Sequence, residues 1–333
     1  SDAQGDVMYY NGTNWARLGY GTDGHFLKTQ GASANPVWAA GAGGGATDIN
    51  GLSDALVENN SIWLGNDPSG TTDTASNNVA VGVTALDAIT TGDANVSIGQ
   101  ASLSANTTGA NNSALGYSGL AVNTTGGANV SVGAYALDAN TTASNNTAVG
   151  YSALTANTTG TANTAMGLSA LAACTTATGN VAIGNNASDA ITTGDENTAV
   201  GYLALSAATT GEGNAAVGYR ALTSATTAWS NTAVGKNTLA ANTTAQSNTA
   251  VGYHALEANT TGGSNTAIGN AALDANTTGA TNTAVGLDAL GANTTASSNT
   301  AVGKDALLVT TTGANNTAVG TGALDSLTTG GNN

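Results

Sequence analysis

The chain has 333 residues and is dominated by small and polar types, with 46 Gly, one Phe, one Cys and two Pro. Five Lys/Arg against 20 Asp/Glu leave a net charge of −15, and such a surface repels phosphate backbones, so nucleic acid is excluded as a partner. The single Cys174 rules out an internal disulfide framework, no apolar run is long enough for membrane insertion, and no charged-then-apolar leader stands at Ser1, so any export signal is expected to have been removed or never present.

Residues 1–40 hold many of the aromatics: Tyr9, Tyr10, Trp15, Tyr20, Phe26 and Trp38. Val7–Tyr10, then Asn11-Gly12, then Thr13–Leu18 reads as a β-hairpin, because Asn-Gly readily takes the positive φ that a tight turn needs. His25–Lys28 and Pro36–Trp38 are expected to add two short strands. So short a module buries little core alone and is expected to associate with copies of itself or with neighbouring proteins. Residues 41–60 read as a Gly-rich linker followed by a short helical connector. Ile49, Leu52 and Leu56 fall at i, i+3 and i+7, the spacing of one helical stripe. Residues 61–77 read as a degenerate capping coil, in register because Gly65 lies 17 residues before Gly82, with Trp63 plugging the core and Pro68 blocking an edge.

From Asn78 to the end one phrase recurs without insertion or deletion, as in Asn146-Thr-Ala-Val-Gly150-Tyr-Ser-Ala-Leu154-Thr-Ala-Asn-Thr158-Thr159-Gly160. Its glycine returns every 17 residues from Gly82 to Gly320, giving fifteen copies. Each would cost a helix about 1 kcal/mol, and no 3.6-residue period survives beside them. A short fixed period means stacked units, and the β-branched residue after each first Asn suits a strand. The expectation is an all-β fold: a parallel β-solenoid of fifteen 17-residue coils over residues 78–333, preceded by the small β module. The invariant Asn column (Asn146, Asn163, Asn197, Asn231) is expected to form a ladder of amides at a corner. About two large apolar side chains per coil are few to set against the ordering of the whole coil, which argues for a core shared among chains, hence a homotrimer. Asn333 is the first position of a sixteenth copy, so the native chain is expected to continue.

The repeat Asn146–Gly160 resembles those of bacteriophage tail-fibre proteins and is similar to the Asn-led phrase of the head β-rolls of trimeric autotransporter adhesins. The opening segment around Gly5–Ala39 and the Thr47–Asn60 stretch also resemble modules and connectors of phage fibres. The resemblance implies an elongated homotrimeric fibre on a virion, contacting a host surface. Two alternatives accompany it: a bacterial surface adhesin passenger or extracellular filament subunit, and an ice-binding solenoid using the paired threonines. Adjacent strand residues point to opposite sides, which counts against both threonines facing ice.

No catalytic constellation is legible, and no enzyme, cofactor or metal role is expected. His25 and His254 stand apart, and Cys174 reads as a small filler. Asp288 with Asp305, and Asp195 with Glu212, share columns in adjacent coils, where like charges repel unless a cation such as calcium or solvent screens them; a solvated acidic face is the plainer reading. "Asn-Thr-Thr" at Asn106 and elsewhere matches the glycosylation pattern incidentally. The best binding candidate is the column after the glycine: Tyr202, Tyr219, Lys236 and Tyr253, with Arg220 and His254 one residue further. Aromatic and Arg side chains are common anchors of recognition, here for a host-surface polysaccharide, while rings stacking on one another would merely stiffen the rod.

Overall fold

The computed structural model describes residues 4–23, 25–30, 34–40, 55–65 and 72–333, and the chain divides into two compact units, Ser1–Leu56 and Val57–Asn333. The Gly-rich stretch, most of the expected connector helix and Pro68 lie outside the described residues.

In the first unit, β1 (Val7–Tyr10) and β2 (Trp15–Leu18) form the expected antiparallel hairpin, with Tyr10 opposite Trp15. The turn is longer than the two-residue form: Asn11 Oδ1 accepts hydrogen bonds from the amides of Thr13 and Asn14 at 3.0 and 2.9 Å. That side chain stands in for a backbone acceptor and delays the second strand to Trp15. The strands β3 (His25–Lys28) and β4 (Val37–Ala40) make a second antiparallel pair. Tyr10, Trp15, Tyr20 and Phe26 all remain exposed.

The helical reading fails where it can be checked. Ala55–Glu58 is strand β5, separated from β6 (Ser61–Leu64) by Asn59 and Asn60 at φ 46° and 59°. Two adjacent asparagines that tolerate left-handed backbone make a hairpin turn, and at Leu56 this overrides the helical spacing, while Ile49 and Leu52 lie outside the described residues. Trp63 is fully buried and pairs in register with Ala80 of the next strand, so its indole plugs the start of the coil stack as expected.

The second unit is a parallel β-solenoid. Fifteen three-residue strands, β7 (Val79–Val81) to β21 (Thr317–Val319), follow one per coil. Each pairs in parallel with the next in unbroken register, so Val149 lies directly over Met166. At the usual spacing of ~4.8 Å the fifteen strands span ~70 Å.

The rest of each coil is a succession of turns, and its backbone is unusual. The four residues that bend it are left-handed or nearly so, here Asn145 (φ 63°), Gly150 (139°), Ser152 (54°) and Leu154 (53°). A buried leucine in this region is rare, since left-handed backbone costs a side-chain-bearing residue roughly 1–2 kcal/mol. The column nonetheless repeats it in every coil, from Leu86 to Leu324, with Ser188 the one non-leucine. Two things hold it: the Leu154 amide donates to Ala170 O of the next coil at 3.0 Å, and the side chain is wholly buried.

The interior is built by a single chain, which corrects the expectation of a shared core. Ala148, Ala153, Leu154, Asn146 and Asn157 are all fully buried within the one chain. The aliphatic residue before the glycine does not join them. Strand residues alternate sides, and the inner place goes to Ala148, while Met166 and Ile183 are exposed. In most coils one large apolar side chain enters the core, not two, although the first coil buries both Leu86 and Ile89.

Buried amides make up the remainder. Asn163 donates its backbone N–H to Asn146 Oδ1 at 3.0 Å and its Nδ2 to Ala177 O at 2.8 Å. The same pattern links Asn197 to Asn180 and Asn231 to Asn214. A second ladder runs through the column of Asn157, whose Nδ2 reaches Asn140 Oδ1 at 2.9 Å and Gly160 O at 3.0 Å. Each of these amide hydrogens thereby finds an acceptor in its own or a neighbouring coil.

Candidate functional site

The first Thr of each Thr-Thr pair is structural. Thr158 donates both its amide and its hydroxyl to Thr175 O, at 2.9 and 3.1 Å, leaving only Thr159 exposed. The paired threonines therefore present one free row of hydroxyls, not two.

Two carboxylates of one stacked column are likewise tied into the scaffold. Asp195 Oδ1 accepts the amide of Thr178 at 2.7 Å, and Asp93 Oδ1 accepts that of Ser76 at 2.8 Å. Side-chain oxygens of this column, Ser144 among them, cap the amide of the preceding coil. Lys304 Nζ lies 3.1 Å from Asp305 Oδ2. Among the described residues no group of three or more His, Cys, Asp or Glu is placed to hold a metal ion. Cys174 fills a gap in the second Asn ladder, with its Sγ 3.8 Å from Ala177 O, and burial pushes its thiol pKa up to about 11. Such a thiol is a poor nucleophile.

The column after the glycine does come together as a continuous edge. The rings of Tyr202 and Tyr219 stack at 5.5 Å and 15°. Lys236 Nζ lies 5.9 Å from the Tyr219 ring centre and 5.5 Å from that of Tyr253, a cation held between two π faces. His254 lies against Tyr253 with ring centres 3.8 Å apart and contacts Glu257 through Nδ1. The backbone fixes these positions, because Arg220 N donates to Tyr202 O at 3.0 Å and His254 N to Lys236 O at 3.1 Å. Each tyrosine is close to half exposed, at 46–49%.

At this edge the ring faces of Tyr202 and Tyr219 are turned toward one another, and those of Tyr219 and Tyr253 toward Lys236. A second cluster lies earlier in the chain, where Tyr135 meets Tyr117 at 5.3 Å and Tyr151 at 5.8 Å, both edge-on. Tyr135 belongs to the adjacent column and was not among the sequence candidates. Desolvation raises its hydroxyl pKa, and the neighbouring tyrosines raise it further. Only the geometry of the bent coil, which brings the two columns side by side, reveals it.

The strands form the other distinctive surface. Their outward side chains are the Thr147 column and the Val149 column, and none of the fifteen strands contains a charged residue. Val96, Ile98, Leu115, Met166, Ile183, Val217, Val234 and Ile268 are exposed along it.

No family model matches this chain, and no curated protein does. Among the described residues no helix is long and apolar enough to cross a membrane.

Proposed function

We propose that this chain is the shaft of a homotrimeric adhesive fibre, acting by reach and attachment, without catalysis, as in the virion tail fibres that its repeats resemble. The observation that carries the reading is the charge-free outward strand face of an otherwise acidic chain. At ~70 Å by ~10 Å it offers about 700 Å² per chain, near the roughly 800 Å² per partner of a stable interface. Copies of the same face suit one another, because the period repeats identically along it and no carboxylates are brought together. The large side chains that a single coil leaves outside find their burial there. The aromatic-rich first unit, with its exposed rings, is the part suited to join other fibre or tail proteins. A virion, or otherwise a cell surface, is the location that this reading implies.

Electron microscopy of the purified chain tests it. Stiff rods with three-fold averaged cross-sections are expected, and globular particles or single-chain filaments would overturn the reading.

A second reading draws on the same face. Thr occupies the first outward column in many strands, as at Thr147, Thr164, Thr232 and Thr249, giving a regular row of hydroxyls beside methyl groups, as an ice-binding surface requires. Val181 and Ala215 interrupt the row. A thermal hysteresis gap in the purified protein would favour this reading over the fibre.

A further inference from the structure

The solenoid unit carries three basic residues, Arg220, Lys236 and Lys304. Lys304 is paired with Asp305. Among the described residues Arg220 and Lys236 have no carboxylate partner; they stand in adjacent coils and belong to the tyrosine edge. Two uncompensated cations together, in a chain of net charge −15, make a local positive site against a negative background. The coils to either side continue the Lys236 column with the uncharged Asn185, Asn270 and Leu287. Burial of such cations in a contact between copies would leave charge unpaired, so this edge belongs on the solvent side of any assembly.

We propose that Tyr202, Tyr219, Arg220, Lys236 and Tyr253 bind an acidic polysaccharide running along the solenoid axis, with carboxylates on Arg220 and Lys236. This rests on the reading of the unit as an attachment fibre and names the chemical class of what it attaches to. The stacked rings turn their faces to one another and to Lys236, so recognition uses tyrosine hydroxyls and the two charges, not rings laid on sugar faces. The spacing suits the ligand, since coils advance by ~4.8 Å, close to the advance of one pyranose in an extended chain. Backbone bonds between coils hold the residues in place before binding, which lowers the ordering cost. A ligand of sparse charge fits best, because only two cations are offered and the surrounding carboxylates repel a densely charged polymer.

The test is affinity electrophoresis of the full chain through gels containing hyaluronate, polygalacturonate, uncharged dextran or single-stranded poly(dT). The wild type and the double variant Arg220→Gln/Lys236→Gln are compared, with solution mass measured in parallel. Retardation by at least one uronate polymer is expected, with none by dextran or poly(dT), and with tenfold or greater loss in the double variant or in high salt. Both side chains are exposed, so fold and mass are expected to be unchanged. The proposal is overturned if neither uronate polymer retards the wild type, if dextran or poly(dT) retards it equally, or if the double variant binds as well. A normal trimer mass with no binding would remove this site and leave the shaft reading standing; a monomer mass would remove the shaft reading instead.

Discussion

The two sides of each strand are built to different rules. Inside, Ala148 and its equivalents are small because a coil closed by four left-handed or nearly left-handed residues has a narrow cross-section. The remaining space goes to one leucine and two columns of amides. Outside, Val149 and Thr147 are larger and β-branched, and nothing in their own coil covers them. Size therefore runs opposite to the usual ordering, in which the largest apolar side chains go inward. The difference teaches that the inner wall determines whether a coil closes, while the outer wall is free to determine what closed coils adhere to.

The sharpest way to break the inner rule is at the corner glycine. Gly218 has φ 140°, and a Cβ there would stand 2.4 Å from Gly235 O. Gly218→Ala is expected to lower the unfolding free energy by about 3 kcal/mol or more, measured by urea denaturation. Next comes Leu222→Ala, expected to cost about 2–4 kcal/mol through lost burial and a cavity. Val217→Ala, five residues away on the outer wall, should cost the isolated coil stack less than about 1 kcal/mol. Equal losses at the two positions would erase the distinction between the walls.

Asn163→Ala removes an acceptor for the buried Asn180 amide and a donor to Ala177 O. A loss of about 2–3 kcal/mol is expected, with faster amide exchange at Asn180 than in distant coils. The smallest effect concerns Asp274, whose carboxyl pKa is raised chiefly by desolvation, opposed by a hydrogen bond from Ala275 and assisted by Asp288 and Glu257. A raised carboxyl means that the native state holds its proton to higher pH than the unfolded chain. Stability then falls as pH rises through the unfolded value of about 3.9 towards the higher folded value, and stays lowered above it. Asp274→Asn should raise Tm slightly at neutral pH, and the gain should vanish below about pH 3.9.

Much of this scaffold is legible in the sequence. The 17-residue period, the strand at each Thr-Ala-Val phrase, the plug at Trp63 and the ladder through Asn146 all follow from spacing and side-chain chemistry. The second amide ladder does not, because Ile89, Cys174, Ile191 and Ala208 interrupt its column. The left-handed leucines are equally hidden, since that backbone is ordinarily associated with Gly and Asn. The outward valines illustrate a third limit. Alternation shows that Val149 and Ala148 face opposite ways, but only the coil's cross-section decides which of them lies inside. At the tyrosine edge the members can be read from the column, whereas the orientation of their rings and the addition of Tyr135 depend on the bend.

The central claim, that the outer wall joins copies of this chain, is tested most directly by the solution mass of the wild type beside the double variant Val217→Lys/Val234→Lys. Three times the chain mass of 31.9 kDa is expected for the wild type. The variant should fall to the single-chain mass with its β-solenoid circular dichroism intact. A wild type that stays at the single-chain mass at micromolar concentration, or a variant that still forms the trimer, would contradict it.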